Sequence, residues 1–435
     1  MLSKLRTRKE EVTKTEARIR AEWDTLRSVV MHKAGVEMFS EILQSDDSLE
    51  ENSPSQNSVV QEYEHLEHVL QREFNVNIIR LRDTIVKAAE ADPSIYDRML
   101  KTADEAADIT YDKENDVHNP SELFDNLLLR PQTKIADKKK AKLTHLSTNE
   151  KKSLSEIYQM RDQQAVTDKG IFLSRLNIPM LRRESFIIKL LWEVLGVEVV
   201  HEVTEPGMFE GGDFIPVKDF ALVGVGNRTN MHGVRQLLKY GVGFDEIAVV
   251  HQPTYPLVPG EEVGQMVDMR LDNYFNIASK GVAVGLKPLL RTAQVDIYTK
   301  ISQGEYEMEK EHTDLLSYIA GWGFDVVGIT MLEQLSNASN FLTIKDGTIL
   351  AVEIERNIKD ILYKLQIKAQ GEPKQYETIL REAEKDYEYL KNHSEFFPHK
   401  REMYQHGIDA YPLVLRNLTG IYGAAHCMTA ALERR

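Results

Sequence analysis

Along much of the chain, short apolar runs paired about polar or glycine-containing turns give way to stretches with a period near 3.6, and the succession repeats. The clearest instance predicts a hairpin from strands 214–217 and 221–225 about the polar pair Lys218 and Asp219, a helix over 230–240 and a buried strand over 247–250. An earlier unit runs from Gln164 through Asp168, Lys169 and Gly170 into strand 171–174, helix 182–195 and strand 197–200. Gly196 is its C-cap, because that position tolerates positive φ. A later unit predicts strands 274–277 and 282–286 about Ser279, Lys280 and Gly281, a helix over 309–320 and a strand over 325–329. The next predicts strands 341–344 and 348–352 about Lys345, Asp346 and Gly347, two helical tracts, and a strand near 413–415. The N-terminal unit is less regular. Strand 26–31, a helical stripe of Val59, Tyr63, Leu66 and Leu70, and strand 76–81 predict it, and its opening strand is free to pair with the chain's end.

Five ββαβ units predict an α/β ring with pseudo-fivefold symmetry, because no unit can bury its sheet alone; a doubly wound sheet is the competing arrangement. Two stretches interrupt the pattern. Residues 83–155 are helical in period and end in the lysine-rich run 138–142, a solvated helix face in so acidic a chain, while 356–404 reads as long charged helices. Both are expected to be helical insertions in a single domain spanning 1–435.

Polar residues without a surface role fall just ahead of each unit's first strand. They are Asp162, then Glu210 and Asp213, then Asp272, then Asn340. Equivalent positions in a ring face one axis, so these side chains should converge. Clustered buried carboxylates need a cation. Metal fits poorly, since no histidine lies near them at ligand spacing. A guanidinium fits well: it is planar, permanently charged and held by paired carboxylates through forked hydrogen bonds. Phe209-Glu210-Gly211-Gly212-Asp213 suits close backbone approach to a ligand, although Gly-Gly alone is also a common turn.

Formal net charge is −14, which disfavours nucleic acid and anionic membrane as partners. No run of 18 apolar residues occurs, and the charged stretch 1–24 lacks the apolar centre of a secretory signal. Cys427 is the sole cysteine, which excludes an internal disulfide and fits a reducing compartment. The expectation is a soluble, cytoplasmic protein; homo-oligomerisation is left open.

Six motifs together resemble the arginine deiminase family of guanidino-group-modifying enzymes. In order they are Met160-Arg161-Asp162, Phe209-Glu210-Gly211-Gly212-Asp213, Gly226-Asn227-Arg228-Thr229, Met269-Arg270-Leu271-Asp272, Asn337-Ala338-Ser339-Asn340, and His426-Cys427-Met428-Thr429 followed by Leu432-Glu433-Arg434. The likeness runs from Trp23 to Arg434, with 356–404 fitting poorly. It implies a five-bladed α/β propeller, no cofactor and no metal. Cys427 would attack the guanidinium carbon, Asp162 and Asp272 would grip the guanidinium, and Glu210 would support the general base. Arg228, Asp213, Asn340 and Arg182 are the remaining substrate-binding candidates. L-Arginine is the default substrate, giving citrulline and ammonia through a covalent thiouronium. A substrate cation beside Cys427 would lower its thiol pKa.

The departures from that pattern concern proton transfer and specificity. Arg270 stands where the family has its histidine, and an arginine cannot exchange protons near neutrality. It could pair with Glu210 or bind a substrate anion. His426 is one substitute, although strand neighbours point to opposite faces; His232 reads as a surface or cap residue. Leu181 stands where a carboxylate-binding arginine is expected, with Arg182 beside it, Tyr422 stands near a second such place, and Glu156 replaces an asparagine. The replacement at 270 motivates a second reading, a guanidino-ligand-binding or regulatory homologue with little turnover. Amidine transfer to an acceptor amine is a third.

Overall fold

Strand Phe214–Val217 pairs antiparallel with Phe220–Val225, and Glu246–His251 returns parallel to the latter after the helix Met231–Tyr240. Lys218 takes a positive φ of 64° at the turn, and Asn230 caps the helix by accepting from the Gly233 amide. This computed structural model describes residues 17–35, 37–38, 56–107, 119–129, 153–253, 269–309, 313–418 and 423–435. The predicted lysine-rich run 138–142 and Tyr422 lie outside them.

The same arrangement recurs in Gln164–Thr167, Gly170–Leu173 and Val199–Glu202, where Gly196 ends the helix Glu184–Leu195 with φ 65°. It recurs in Phe275–Ser279, Val282–Gly285 and Asp325–Gly328, and again in Leu342–Lys345, Thr348–Val352 and Asp409–Leu413. The remaining sheet joins the two ends of the sequence. Leu26–Met31 pairs antiparallel with Ala430–Arg434 and parallel with Asn77–Arg80. The fold is mixed α/β, with one antiparallel and one parallel pairing repeated in all five sheets.

Each first strand and its partner are buried almost throughout, as in Phe214–Val217 and Val282–Gly285, so their sequences read as apolar runs rather than clean alternation. Full burial of each such valine, isoleucine or phenylalanine contributes roughly 1.5–3 kcal/mol.

One expectation is corrected. Among the described residues of the helix predicted over 309–320, Leu315–Gly321 is helical while Thr313–Asp314 is a strand. Ahead of them Gln294–Ser302 forms a long strand that pairs antiparallel with Glu246–His251, and both Glu305–Met308 and the short Thr313–Asp314 pair antiparallel with it, so one sheet has six strands. Val295, Ile297, Thr299 and Ile301 carry a period of two that the helical reading passed over. Between units lie the helices Leu81–Ala91, Pro93–Ala107 and Pro120–Leu129, and later Ile354–Gly371 and Pro373–His393. Among the described residues no helix is long and apolar enough to cross a membrane.

Candidate active site

The segments just ahead of the first strands meet. Short 3₁₀ turns at Gly211–Asp213 and Leu271–Asn273 lead into Phe214–Val217 and Phe275–Ser279 and aim their acids inward. Gly211 donates its amide to the Asp162 carbonyl at 3.1 Å. A Cβ at Gly211 would be driven into the carbonyls of Arg161 and Gln164, so the two segments touch backbone to backbone. Arg161 in turn donates its amide to the Cys427 carbonyl at 3.0 Å, which ties the first motif to the last.

Cys427 is fully buried, yet its surroundings are polar. Asn340 pins it from both sides of the amide: Oδ1 accepts from the backbone amides of Ala424 (2.8 Å) and Cys427 (3.1 Å), while Nδ2 donates to Cys427 Sγ and Asp272 Oδ2, each at 3.1 Å. The Cys427 thiol also reaches Asp272 Oδ2 at 3.4 Å. Residues 425–428 form a turn rather than a strand, so the opposition expected between neighbours 426 and 427 does not hold. His426 Nδ1 lies 2.9 Å from the same Asp272 Oδ2.

Arg270 enters this cluster from the backbone ahead of Asp272. Its Nη1 is 3.0 Å from Asp162 Oδ2 and 3.4 Å from Glu210 Oε2, its Nη2 donates to Cys427 Sγ at 3.1 Å, and its Nε is 3.5 Å from Asp272 Oδ1. The expected pairing with Glu210 is therefore one of several contacts.

Burial dominates the electrostatics. It pushes the carboxyls of Asp162 and Glu210 up to about 7, the neighbouring acid in each case adding to the rise and Arg270 opposing it. Burial would raise Asp272 too, but the His426 hydrogen bond and the Arg270 charge hold it below its ordinary value. The Cys427 thiol is pushed well up, by burial first and then by Asp272, with Arg270 offsetting only part. Without a bound substrate, loss of solvent and the surrounding carboxylates outweigh the Arg270 cation at this thiol.

The other candidates divide. Arg228 Nη1 lies 3.5 Å from Glu210 Oε1, on the cluster's edge. Asp213 serves the scaffold: it accepts from Thr229 Oγ1 at 2.6 Å and from the Leu271 amide at 2.9 Å, and burial pushes it up to about 7. Asn340 holds the nucleophile loop, as above. Arg182 turns away from the cluster, since Nε donates to the Leu176 carbonyl at 2.8 Å and Nη2 to that of Asn177 at 3.0 Å. His232 is exposed on the helix Met231–Tyr240.

Glu22 was missed. It is fully buried, 2.9 Å from Arg434 Nη2, 3.5 Å from Arg161 Nη1 and 3.8 Å from His426 Nε2. A signal existed: Glu22 precedes Leu26, the opening residue of the N-terminal unit's first strand, and so obeys the rule that located the other acids. Among the described residues no group of three or more histidines, cysteines, aspartates and glutamates is placed to hold a metal ion.

Comparison with known proteins gives a consistent picture. A family model described as "Arginine deiminase" matches residues 46–434. An arginine deiminase of Halobacterium salinarum is 24% identical, the alignment covering 97% of each chain. One from Listeria innocua is 25% identical over 49% of this chain and 56% of its own. Among solved structures, the N-terminal domain of ArgZ, described as an arginine dihydrolase from the ornithine–ammonia cycle in cyanobacteria, superposes with a TM-score of 0.50 at 12% identity, covering 94% of this chain and 98% of that one.

Proposed function

Since the chain belongs to the arginine deiminase family, we propose that it hydrolyses the guanidino group of a small molecule with Cys427 as nucleophile, L-arginine being the default substrate. The observation that carries the reading is a planar guanidinium lodged between Asp162, Glu210 and Asp272 with the chain's only thiol at its edge, Nη2 to Sγ 3.1 Å. That guanidinium belongs to Arg270, and its lodging there supports reading the cluster as a guanidinium-binding site.

In the proposed reaction Asp162 and Asp272 hold the substrate guanidinium by charge-assisted hydrogen bonds. Cys427 gives up its proton and its sulfur forms a bond to the central carbon. The bond from that carbon to one terminal nitrogen breaks, and the nitrogen takes a proton and leaves as ammonia. Water then adds to the carbon and the C–S bond breaks, which returns the thiol and leaves a ureido group, citrulline if the substrate is arginine. Glu210 is our choice for the proton donor in place of the absent histidine. Its carboxyl, pushed to about 7, holds a proton near neutrality and lies 3.4 Å from the terminal nitrogen of the bound guanidinium. Arg228 is read as restraining the Glu210 carboxylate once that proton has gone, and Asn340 as orienting Cys427.

The five sheets are read as blades of one α/β propeller over the whole chain, the helical stretches 83–155 and 356–404 being insertions, and the protein as cytoplasmic. A screen of guanidino compounds, with mass detection of ureido product and of a Cys427 adduct, tests the function. Wild-type protein should release ammonia from at least one compound and Cys427→Ser from none; persistent release by the variant removes the mechanism.

A further inference from the structure

The two terminal nitrogens of the guanidinium in the carboxylate cluster are engaged, Nη1 by Asp162 and Glu210 and Nη2 by Cys427 Sγ, while Nε lies 3.5 Å from Asp272 Oδ1 as an ion pair without a hydrogen bond. These are the partners assigned above to a substrate. A pair of guanidinium groups cannot share one such cage, because the second would meet the first at contact distance in a medium of low dielectric.

The surroundings are shaped for this arm. A Cβ at Gly212 would stand 2.7 Å from Arg270 Nε and 2.8 Å from its Cδ, so any residue but glycine would displace the side chain. The stem is fixed as well: the Arg270 amide donates to Asn273 Oδ1 at 3.1 Å, and the next amide, of Leu271, to Asp213 Oδ1 at 2.9 Å. Arg270 is 7% exposed, and its contact with the thiol is an N–H···S hydrogen bond from Nη2. The thiol therefore stands as a hydrogen-bond acceptor of this group, whereas attack would require sulfur over the face of the guanidinium at its central carbon.

We propose that Arg270 is a resident stand-in for the substrate's guanidinium, filling the subsite between Asp162, Glu210, Asp272 and Cys427, so that an external guanidino compound binds there only by displacing it. This rests on the reading of the cluster as a guanidino-binding site. The consequence is twofold. Buried carboxylates keep a counter-ion when no ligand is present. The apparent affinity for an external guanidinium falls by the fraction of time the subsite is vacant. Arg270 then decides specificity, since only a ligand whose remaining contacts outweigh its internal competitor gains entry.

The test titrates methylguanidinium chloride, at millimolar concentration, into full-length wild type, Arg270→Ala and Arg270→Lys. Binding is read by thermal stability and by protection of Cys427 from alkylation. The alanine variant should bind methylguanidinium roughly tenfold or more tightly than wild type, the gain expected if the internal arm fills the subsite at least about nine-tenths of the time. Its lowered Tm should be restored saturably by methylguanidinium and not by methylammonium, which has the charge without the planar fork. If alanine prevents folding, Arg270→Lys carries the test, because the ammonium keeps the charge but grips less well; it too should bind more tightly than wild type. Equal binding by wild type and the variant that folds, or weaker binding by that variant, overturns the inference. So does deimination of Arg270 itself, detected by peptide mass in wild type. A variant that binds methylguanidinium yet releases no ammonia from any guanidino compound keeps the inference and removes the hydrolase reading. Wild-type turnover with a KM unchanged in Arg270→Ala does the reverse.

Discussion

Asn340→Ala is the sharpest perturbation available short of removing the thiol. Asn340 is fully buried and its side chain makes five contacts at once: two amides donate to Oδ1 at 2.8 and 3.1 Å, and Nδ2 donates to Sγ and Asp272 Oδ2 at 3.1 Å and to the Asp272 carbonyl at 3.5 Å. Alanine leaves the amides of Ala424 and Cys427 buried without an acceptor, at a cost of about 1–3 kcal/mol each, or roughly 2–6 kcal/mol together. That is a large fraction of a total folding stability of about 5–15 kcal/mol. Urea denaturation should show the midpoint falling with an unchanged m-value, and Cys427 should alkylate faster because its turn has lost its anchor. Asn340→Asp keeps the acceptor for both amides but sets an oxygen against Asp272 Oδ2 and the thiol. It should hold the turn better than alanine while disturbing the nucleophile more than its stability suggests. A loss below about 0.5 kcal/mol for the alanine variant, the size of an ordinary surface substitution, would refute the reasoning.

Breaking the Glu22–Arg434 pair, both side chains of which are buried, should cost about 3–5 kcal/mol in Glu22→Ala, measured by thermal or urea unfolding, since Arg434 and Arg161 lose their shared carboxylate. Burial opposes ionisation of Glu22, but Arg434, Arg161 and His426 together hold it far below its usual value. Its stabilisation is therefore complete above the ordinary carboxylate range and is lost as pH falls below it, a dependence that Glu22→Gln should flatten. Glu210 has the opposite sign: raised to about 7, it holds its proton below that pH and loses it above. If it supplies the proton to ammonia, turnover should decline as pH rises through about 7, and Glu210→Gln should remove that limb with a loss of roughly 100- to 10,000-fold.

Much of this architecture was legible along the chain because its signals are local. The turns at Lys218, Gly170, Gly281 and Gly347 each separate two short apolar runs ahead of a stretch with helical period, and Asn230 and Gly196 mark helix ends by their own backbone and hydrogen-bonding preferences. The same locality explains the lapse at Gln294–Ser302. That strand is half-exposed or exposed beyond Val295, so its alternation competed with a helical pattern further on, and only its pairing with Glu246–His251 selects the extended form.

The residue types of the site were also readable, since Asp162, Glu210, Asp272, Asn340 and Cys427 each lie at a recurring place ahead of a strand or in the closing motif. Sequence by itself determined the strands of the five repeated units, the inward turn of Asp162, Glu210, Asp213 and Asp272, and that a lone thiol was available. Tertiary structure alone decided what each side chain met: that Leu26 would pair with Arg434 across the length of the chain, that Asn340 would hold Cys427, that Arg182 would turn to loop carbonyls, and that Arg270 would lie in the carboxylate cage. The physical reason is range. Backbone preference and periodicity act over a few residues, whereas the pairing of a buried charge is settled by whichever opposite charge the fold delivers within about 4 Å, and sequence separation says nothing about that distance.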